Sequence, residues 1–170
     1  HLQTRADLNQ WEGKNIELAT EWIAERTLDV LDLSTLKELH RQMFGQTWEW
    51  AGTYRKSMKT ISPFDWTEVP RLMTDLVENT KVRYEACNGD GDEIDRLAAR
   101  FHHELVKIHP WPNGNGRHGR MATDLLLRMW KRPPFSWGAM SRDVEPARTR
   151  ERYLNALSRA DANDYSHLYE

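Results

Sequence analysis

The stretch His109-Pro110-Trp111-Pro112-Asn113-Gly114-Asn115-Gly116-Arg117-His118-Gly119-Arg120 constrains this chain more than any other, because it interrupts two runs of helical periodicity with prolines and glycines. Before it, Phe101, Leu105 and Ile108 recur at helical spacing. Pro110 ends that helix, since it lacks an N–H and restricts the residue preceding it, which leaves His109 at a helix end. After it, Met121, Leu125 and Met129, with Leu126 and Trp130 alongside, form a stripe of period near ~3.6, so a second helix starts around residues 115–117. Free N–H groups at a helix start, preceded by glycines that let the chain turn, make a seat for phosphate. Arg117 and Arg120 are three apart and can reach one anion from the first turn.

With 170 residues, the sequence fits one domain with its own core and leaves no room for a second. The charged fraction of 29% and a mean hydropathy of -0.81 describe a well-solvated protein. A net charge of -2 supplies no overall basic field, which argues against a direct nucleic-acid partner. Cys87 is the single cysteine, so neither an intrachain disulfide nor a cysteine metal cage can form, and a cytoplasmic setting is expected. No apolar run approaches the ~20 residues that span a bilayer, so no membrane partner is expected. His102, His103 and His109 crowd one segment, but Glu104 is followed by Leu105, Val106 and Lys107 rather than by a histidine at zinc-hydrolase spacing. Neither a serine nucleophile elbow nor a Lys-Ser/Thr phosphate loop is present.

Along the rest of the chain, Ile16, Ala19, Ile23 and Ala24 predict a helix over residues 15–27. Leu36, Leu39 and Met43 predict another over 32–44, with Ser34 able to cap its start. A longer helix over 69–86 is expected to bury Leu72, Leu76, Val82 and Tyr84, and Asn88-Gly89-Asp90-Gly91 breaks it. Residues 52–65 are too few for periodicity to separate a short hairpin from a helix-to-helix loop. The tryptophans, eight in number, are expected mostly in the core, with Trp111 pinning the loop from behind.

The stretch from His109 to Arg120 resembles the signature of Fic (Fic/Doc) domains, His-Pro-Phe-x-Asp/Glu-Gly-Asn-Gly-Arg-x-x-Arg. Trp111 stands for the usual Phe, and Asn113 replaces the acid. Trp50-Ala51-Gly52-Thr53-Tyr54-Arg55 is similar to the family's Trp-Ala-Gly-x-x-Arg segment. Arg152-Tyr153-Leu154-Asn155-Ala156-Leu157 followed by Ala160-Asp161 resembles its final helix. The resemblance implies a single all-α domain over residues 1–170, a helical bundle with a small β-hairpin flap over 52–65 and a catalytic loop over 109–120.

What the resemblance implies chemically is adenylylation: ATP gives AMP to a Ser, Thr or Tyr hydroxyl of a target protein, with His109 as general base. Asn113, Gly114, Asn115, Gly116, Arg117 and Arg120 would bind the nucleotide, and Thr60, Ile61 and Ser62 of the flap would dock the target. Asn113 occupies the usual Mg2+ ligand position with a neutral oxygen, so Mg2+ use is expected but weakened. Trp11-Glu12-Gly13-Lys14-Asn15 resembles the end of the family's inhibitory helix, which makes residues 1–15 a candidate inhibitory segment with Glu12 facing Arg120, although Leu8 stands where Ser or Thr is expected. A regulatory or antitoxin partner belongs to the same implied picture. Two alternatives stay open: a Doc-like kinase passing on the γ-phosphate, which the intact Gly116 and Arg117 disfavour, and a nucleotide-binding module whose turnover Asn113 has weakened.

Overall fold

The computed structural model describes residue 14, residues 17–137 and residues 146–168. Glu12 and all of the candidate inhibitory segment 1–15 except Lys14 lie outside the described residues, as does Ile16. The described chain is helical: α1 (residues 17–24), α2 (Leu33–Phe44), α3 (Val69–Ala86), α4 (Gly91–Ile108), α5 (Asn115–Met129) and α6 (Pro146–Ala160), with short 3-10 turns at Trp66–Glu68 and Ser166–Leu168.

The helix α4 is the central element, packed mainly on α5 and α3. Ile94, Leu97, Ala98, Phe101, Leu105 and Ile108 bury its apolar side. It approaches α5 closely because Gly119 has no side chain; a Cβ there would stand 2.9 Å from Val106 Cγ2. The helix starts follow local chemistry. Asp90 accepts the Asp92 and Glu93 N–H groups at the start of α4, and Asp32 accepts the Thr35 N–H at the start of α2. The cap of α2 is therefore Asp32. The shorter Ser34 lies two residues inside and donates its hydroxyl to that carboxylate.

Other expectations shift in detail. The first helix ends at residue 24, with Ala19 and Ile23 buried and Ala24 exposed. Val82 is exposed, because α3 turns Met73, Leu76, Val77 and Thr80 inward instead. Trp111 and Trp130 are buried, whereas Trp22, Trp48 and Trp137 only pack against the core and Trp66 is exposed.

The expected β-hairpin over 52–65 is absent: the described residues contain no strand, and this segment is a series of turns and bends. A hairpin requires its two arms to exchange backbone N–H···O bonds. Here the bonds run elsewhere. The Arg55 N–H donates to the Pro110 carbonyl at 2.8 Å, and the Ser62 N–H closes a local turn onto the Lys59 carbonyl at 3.1 Å. The two sides of the loop are held by one side chain. Arg55, 1% exposed, donates from Nη1 to the Ser57 carbonyl (2.8 Å), from Nη2 to the Phe64 carbonyl (2.8 Å) and from Nε to the His109 carbonyl (2.9 Å).

Lysine cannot present that fork, since its single ammonium can meet only part of this carbonyl set. Arg55→Lys is therefore expected to destabilise the domain by about 3 kcal/mol and to loosen residues 56–64 together with His109. Chemical denaturation and hydrogen exchange of that segment check both effects.

Candidate active site

His109 is the C-cap of α4 and sits in the left-handed region at φ 54, ψ 58. A non-glycine residue there is strained by about 1–2 kcal/mol, and its surroundings hold it in place. Pro110 disfavours continuing the right-handed helix. Arg55 takes the His109 carbonyl, and Ser62 Oγ donates to the Lys107 carbonyl at 3.0 Å, so acceptors that a helix end leaves unpaired are satisfied from the loop 52–65. A guanidinium at a helix C-terminus also opposes the negative end of the helix dipole. The imidazole of His109 is half-buried, and its Nδ1 is buried without a hydrogen-bond partner among the described residues. Burial pulls its pKa below the ordinary imidazole value, with the charges of Arg55 and Lys59 adding to the effect and the Val106 backbone opposing it. The ring is thus neutral and basic at neutral pH.

The loop that follows is fixed by side chains from inside. Asn115 Oδ1 accepts the Trp111 N–H at 3.0 Å and its Nδ2 donates to the Trp111 carbonyl at 2.9 Å. The Asn115 amide is therefore occupied in closing the loop, and any contact it makes with a ligand comes from its backbone. Asn113 is exposed, but its Oδ1 accepts the Gly114 N–H at 2.8 Å. Gly114 sits at φ +81, where a Cβ would stand 2.7 Å from the Phe44 ring, so only glycine fits. The first turn of α5 then opens at Asn115, and helix geometry leaves the N–H groups of such a turn directed outward without intrahelical acceptors. Arg117 lies over the Phe44 ring and Arg120 over the Tyr153 ring, each with Cζ 5.0 Å from the centroid. Thr60 and Ile61 are exposed, while Ser62 is buried with its hydroxyl bonded to the end of α4.

Sequence reasoning missed the props behind this loop. His40 is fully buried and bridges two segments: Nδ1 accepts the Gly52 N–H at 3.0 Å, and Nε2 donates to the Asn113 carbonyl at 3.1 Å. Its ring stacks on Trp111 at 4.4 Å. His118 accepts Trp111 Nε1–H at 3.1 Å and donates Nε2–H to the Leu36 carbonyl at 3.0 Å. Nothing in the spacing of His40 marks it, since its partners are 12 and 73 residues away. Trp111, by contrast, is pinned behind the loop as expected.

The residues present do not build a protein-held Mg2+ site. Asn113 offers a neutral oxygen already turned onto its own loop, and no cluster of three acidic, histidine or cysteine ligands occurs among the described residues. A separate cavity of about 420 Å³ lies beside Phe64, Ile108, His103 and Asp161, and none of residues 109–120 lines it.

Comparison with known proteins identifies the family and the fold. Residues 30–127 match the Fic/DOC family, more than half of the chain, and the protein belongs to that family. It is 29% identical over 89 residues to the protein adenylyltransferase VbhT of Bartonella schoenbuchensis, covering 51% of this chain and 19% of that protein. It is 26% identical over 137 residues to the protein adenylyltransferase fic-1 of Caenorhabditis elegans, covering 80% and 25% respectively. The chain thus spans about a quarter or less of the length of these relatives. Among solved structures, a Fic domain containing signaling protein from Bacteroides thetaiotaomicron superposes with a TM-score of 0.68 at 26% identity, covering 89% of this chain and 57% of that one. The N-terminal Fic domain of Bep8 from Bartonella sp. 1-1C, at 18% identity, shares the fold with a TM-score of 0.70 over 92% of this chain and 79% of that one.

Burial pushes His40 and His102 down to about 3 and His118 down to about 4. Between those values and the unfolded value near ~6.5 the unfolded chain binds more protons than the folded one, so stability falls as pH drops through that window. The thermal midpoint is expected to hold above about pH 6.5 and to decline steadily below it. A calorimetric series over that window checks this, and Asp or Glu titration alone would delay the decline to more acidic pH.

Proposed function

We propose that this domain transfers AMP from ATP to a Ser, Thr or Tyr hydroxyl of a protein target. The observation that carries the reading is the junction of α4 and α5, where a neutral, half-buried imidazole ends one helix immediately before a glycine-opened N-terminus flanked by two arginines. The names of the relatives support the same chemistry.

A protein hydroxyl is a weak nucleophile at neutral pH. His109 accepts its proton as the oxygen bonds to the α-phosphorus, while the bond from that phosphorus to the β-bridging oxygen breaks and pyrophosphate leaves with its electron pair. Charge gathers on phosphate oxygens during this step. The outward N–H groups of the first α5 turn stabilise it, and Arg117 and Arg120 hold the departing phosphates. The exposed Thr60 and Ile61 offer backbone to an extended target segment beside His109, in a loop that Arg55 ties to the same helix end.

Incubation of the domain with ATP, followed by mass spectrometry of the domain and of added proteins, tests the reading. Addition of AMP is expected, with His109→Ala abolishing transfer yet retaining ATP binding. Addition of phosphate alone would move the assignment to phosphotransfer, and ATP binding without any product would make the domain a nucleotide-binding module. Because the base must be unprotonated and His109 lies below its ordinary value, the rate is expected to stay level down to about pH 6.5 and to fall only below it.

Mg2+ has only a neutral side-chain oxygen at residue 113, so the triphosphate and water must supply its ligands. Asn113→Asp adds a charged oxygen there and is expected to lower the Mg2+ concentration that gives half-maximal transfer. An unchanged Mg2+ dependence of transfer and of nucleotide binding would remove residue 113 from the metal's surroundings.

A further inference from the structure

Tyr153 belongs to α6, yet its hydroxyl lies against the first turn of α5. A Cβ built on Gly116 would stand 3.5 Å from Tyr153 Oη and 3.9 Å from Arg120 Nη1. The Arg120 guanidinium lies over the Tyr153 ring with Cζ 5.0 Å from the centroid, and its charge acts on the phenol. Behind Tyr153 a short chain of polar groups settles which way that hydroxyl points.

The chain starts in α5. Thr123 Oγ1 donates its only hydrogen to the Gly119 carbonyl at 2.8 Å. His102 Nδ1, 3.4 Å from the same oxygen, must therefore be the donor in that contact. His102 is fully buried, and burial holds it neutral at about 3, so its second nitrogen carries no hydrogen. Nε2 is then an acceptor, and Tyr153 O–H donates to it at 2.9 Å. With its hydrogen committed inward, the Tyr153 oxygen has only lone pairs left for Arg120. Burial pushes Tyr153 up to about 12, so the proton stays in place through the neutral range.

Resting on the nucleotide reading above, we propose that Tyr153 is a positioning residue for Arg120: its hydroxyl, oriented by His102, holds the guanidinium over the α5 N-terminus in the direction from which the terminal phosphates of the nucleotide arrive. The competing position lies one turn along α5. Asp124 is half-buried, accepts Trp137 Nε1–H at 2.8 Å and feels the Arg120 charge, so a guanidinium released by Tyr153 has a carboxylate to turn toward. The hydroxyl biases Arg120 away from Asp124 and toward the anion seat.

Tyr153→Phe keeps the ring under Arg120 and removes only the acceptor. Titration calorimetry of wild type and Y153F with ATP and with AMP is the test, because AMP lacks the phosphates that Arg120 receives. ATP affinity is expected to weaken roughly tenfold while AMP affinity stays unchanged. Equal losses for both nucleotides would reduce Tyr153 to a packing role, and unchanged ATP affinity would overturn the proposal. A nucleotide-free measurement accompanies it: the Arg120 Nε–H signal in a 15N spectrum, assigned with Arg120→Lys, is expected to shift and exchange faster in Y153F, and an unchanged signal would overturn the positioning role. If wild type binds no ATP, the nucleotide reading fails by itself, and the Arg120 signal still decides whether Tyr153 holds the guanidinium.

Discussion

One buried guanidinium sets the geometry on which the rest of the site depends. Arg55 binds carbonyls from both sides of the loop 52–65 and from His109, while its own N–H meets Pro110. Three needs are met at once: the unpaired end of α4, the strained left-handed backbone of His109, and a loop too irregular to pair with itself. Charge-assisted bonds in a dry setting are stronger than neutral ones, and leaving any of these carbonyls unpaired in the interior is costly. The arginine therefore does structurally what a strand pair would have done, and it couples the loop to the imidazole directly.

A second layer of neutral histidines holds the loop between α4 and α5 from the other side. His40 and His118 each use one nitrogen as acceptor and one as donor, so each joins two segments distant in sequence without bringing a charge into the core. His102 plays the same part toward Tyr153. Buried imidazoles suit this task because burial disfavours the charged form, and the neutral ring can bridge a donor and an acceptor. The half-buried Arg117 and Arg120 are thus mounted on an interior whose polar groups are largely paired.

The helices were legible in the chain because their signals are local. Phe101, Leu105 and Ile108 repeat with the helix period and are buried, Pro110 ends α4 after Ile108, and the glycine break opens α5 at Asn115. Local signals failed where a residue could turn either way. Val82 and Met129 fit an apolar stripe yet point outward, since a stripe is broader than the face that a neighbouring helix covers. The loop 52–65 misled for a different reason: its composition permits a hairpin, and only the arrival of Arg55 at carbonyls of three separate segments decides otherwise.

By itself the sequence determined the order of the helices, the break between α4 and α5, the placement of His109 at a helix end, and membership of the family through residues 109–120. These depend on neighbours within a few positions, whose backbone preferences travel with the chain. Only the tertiary structure decided that the Asn115 amide closes the loop, that the Ser62 hydroxyl ties to the end of α4, and that His40 and Tyr153 stand behind residues 109–120. The Asn115 closure spans only four residues but needs the turn that the packed loop adopts, whereas the Ser62, His40 and Tyr153 contacts join segments up to 73 residues apart, and no local pattern encodes those meetings.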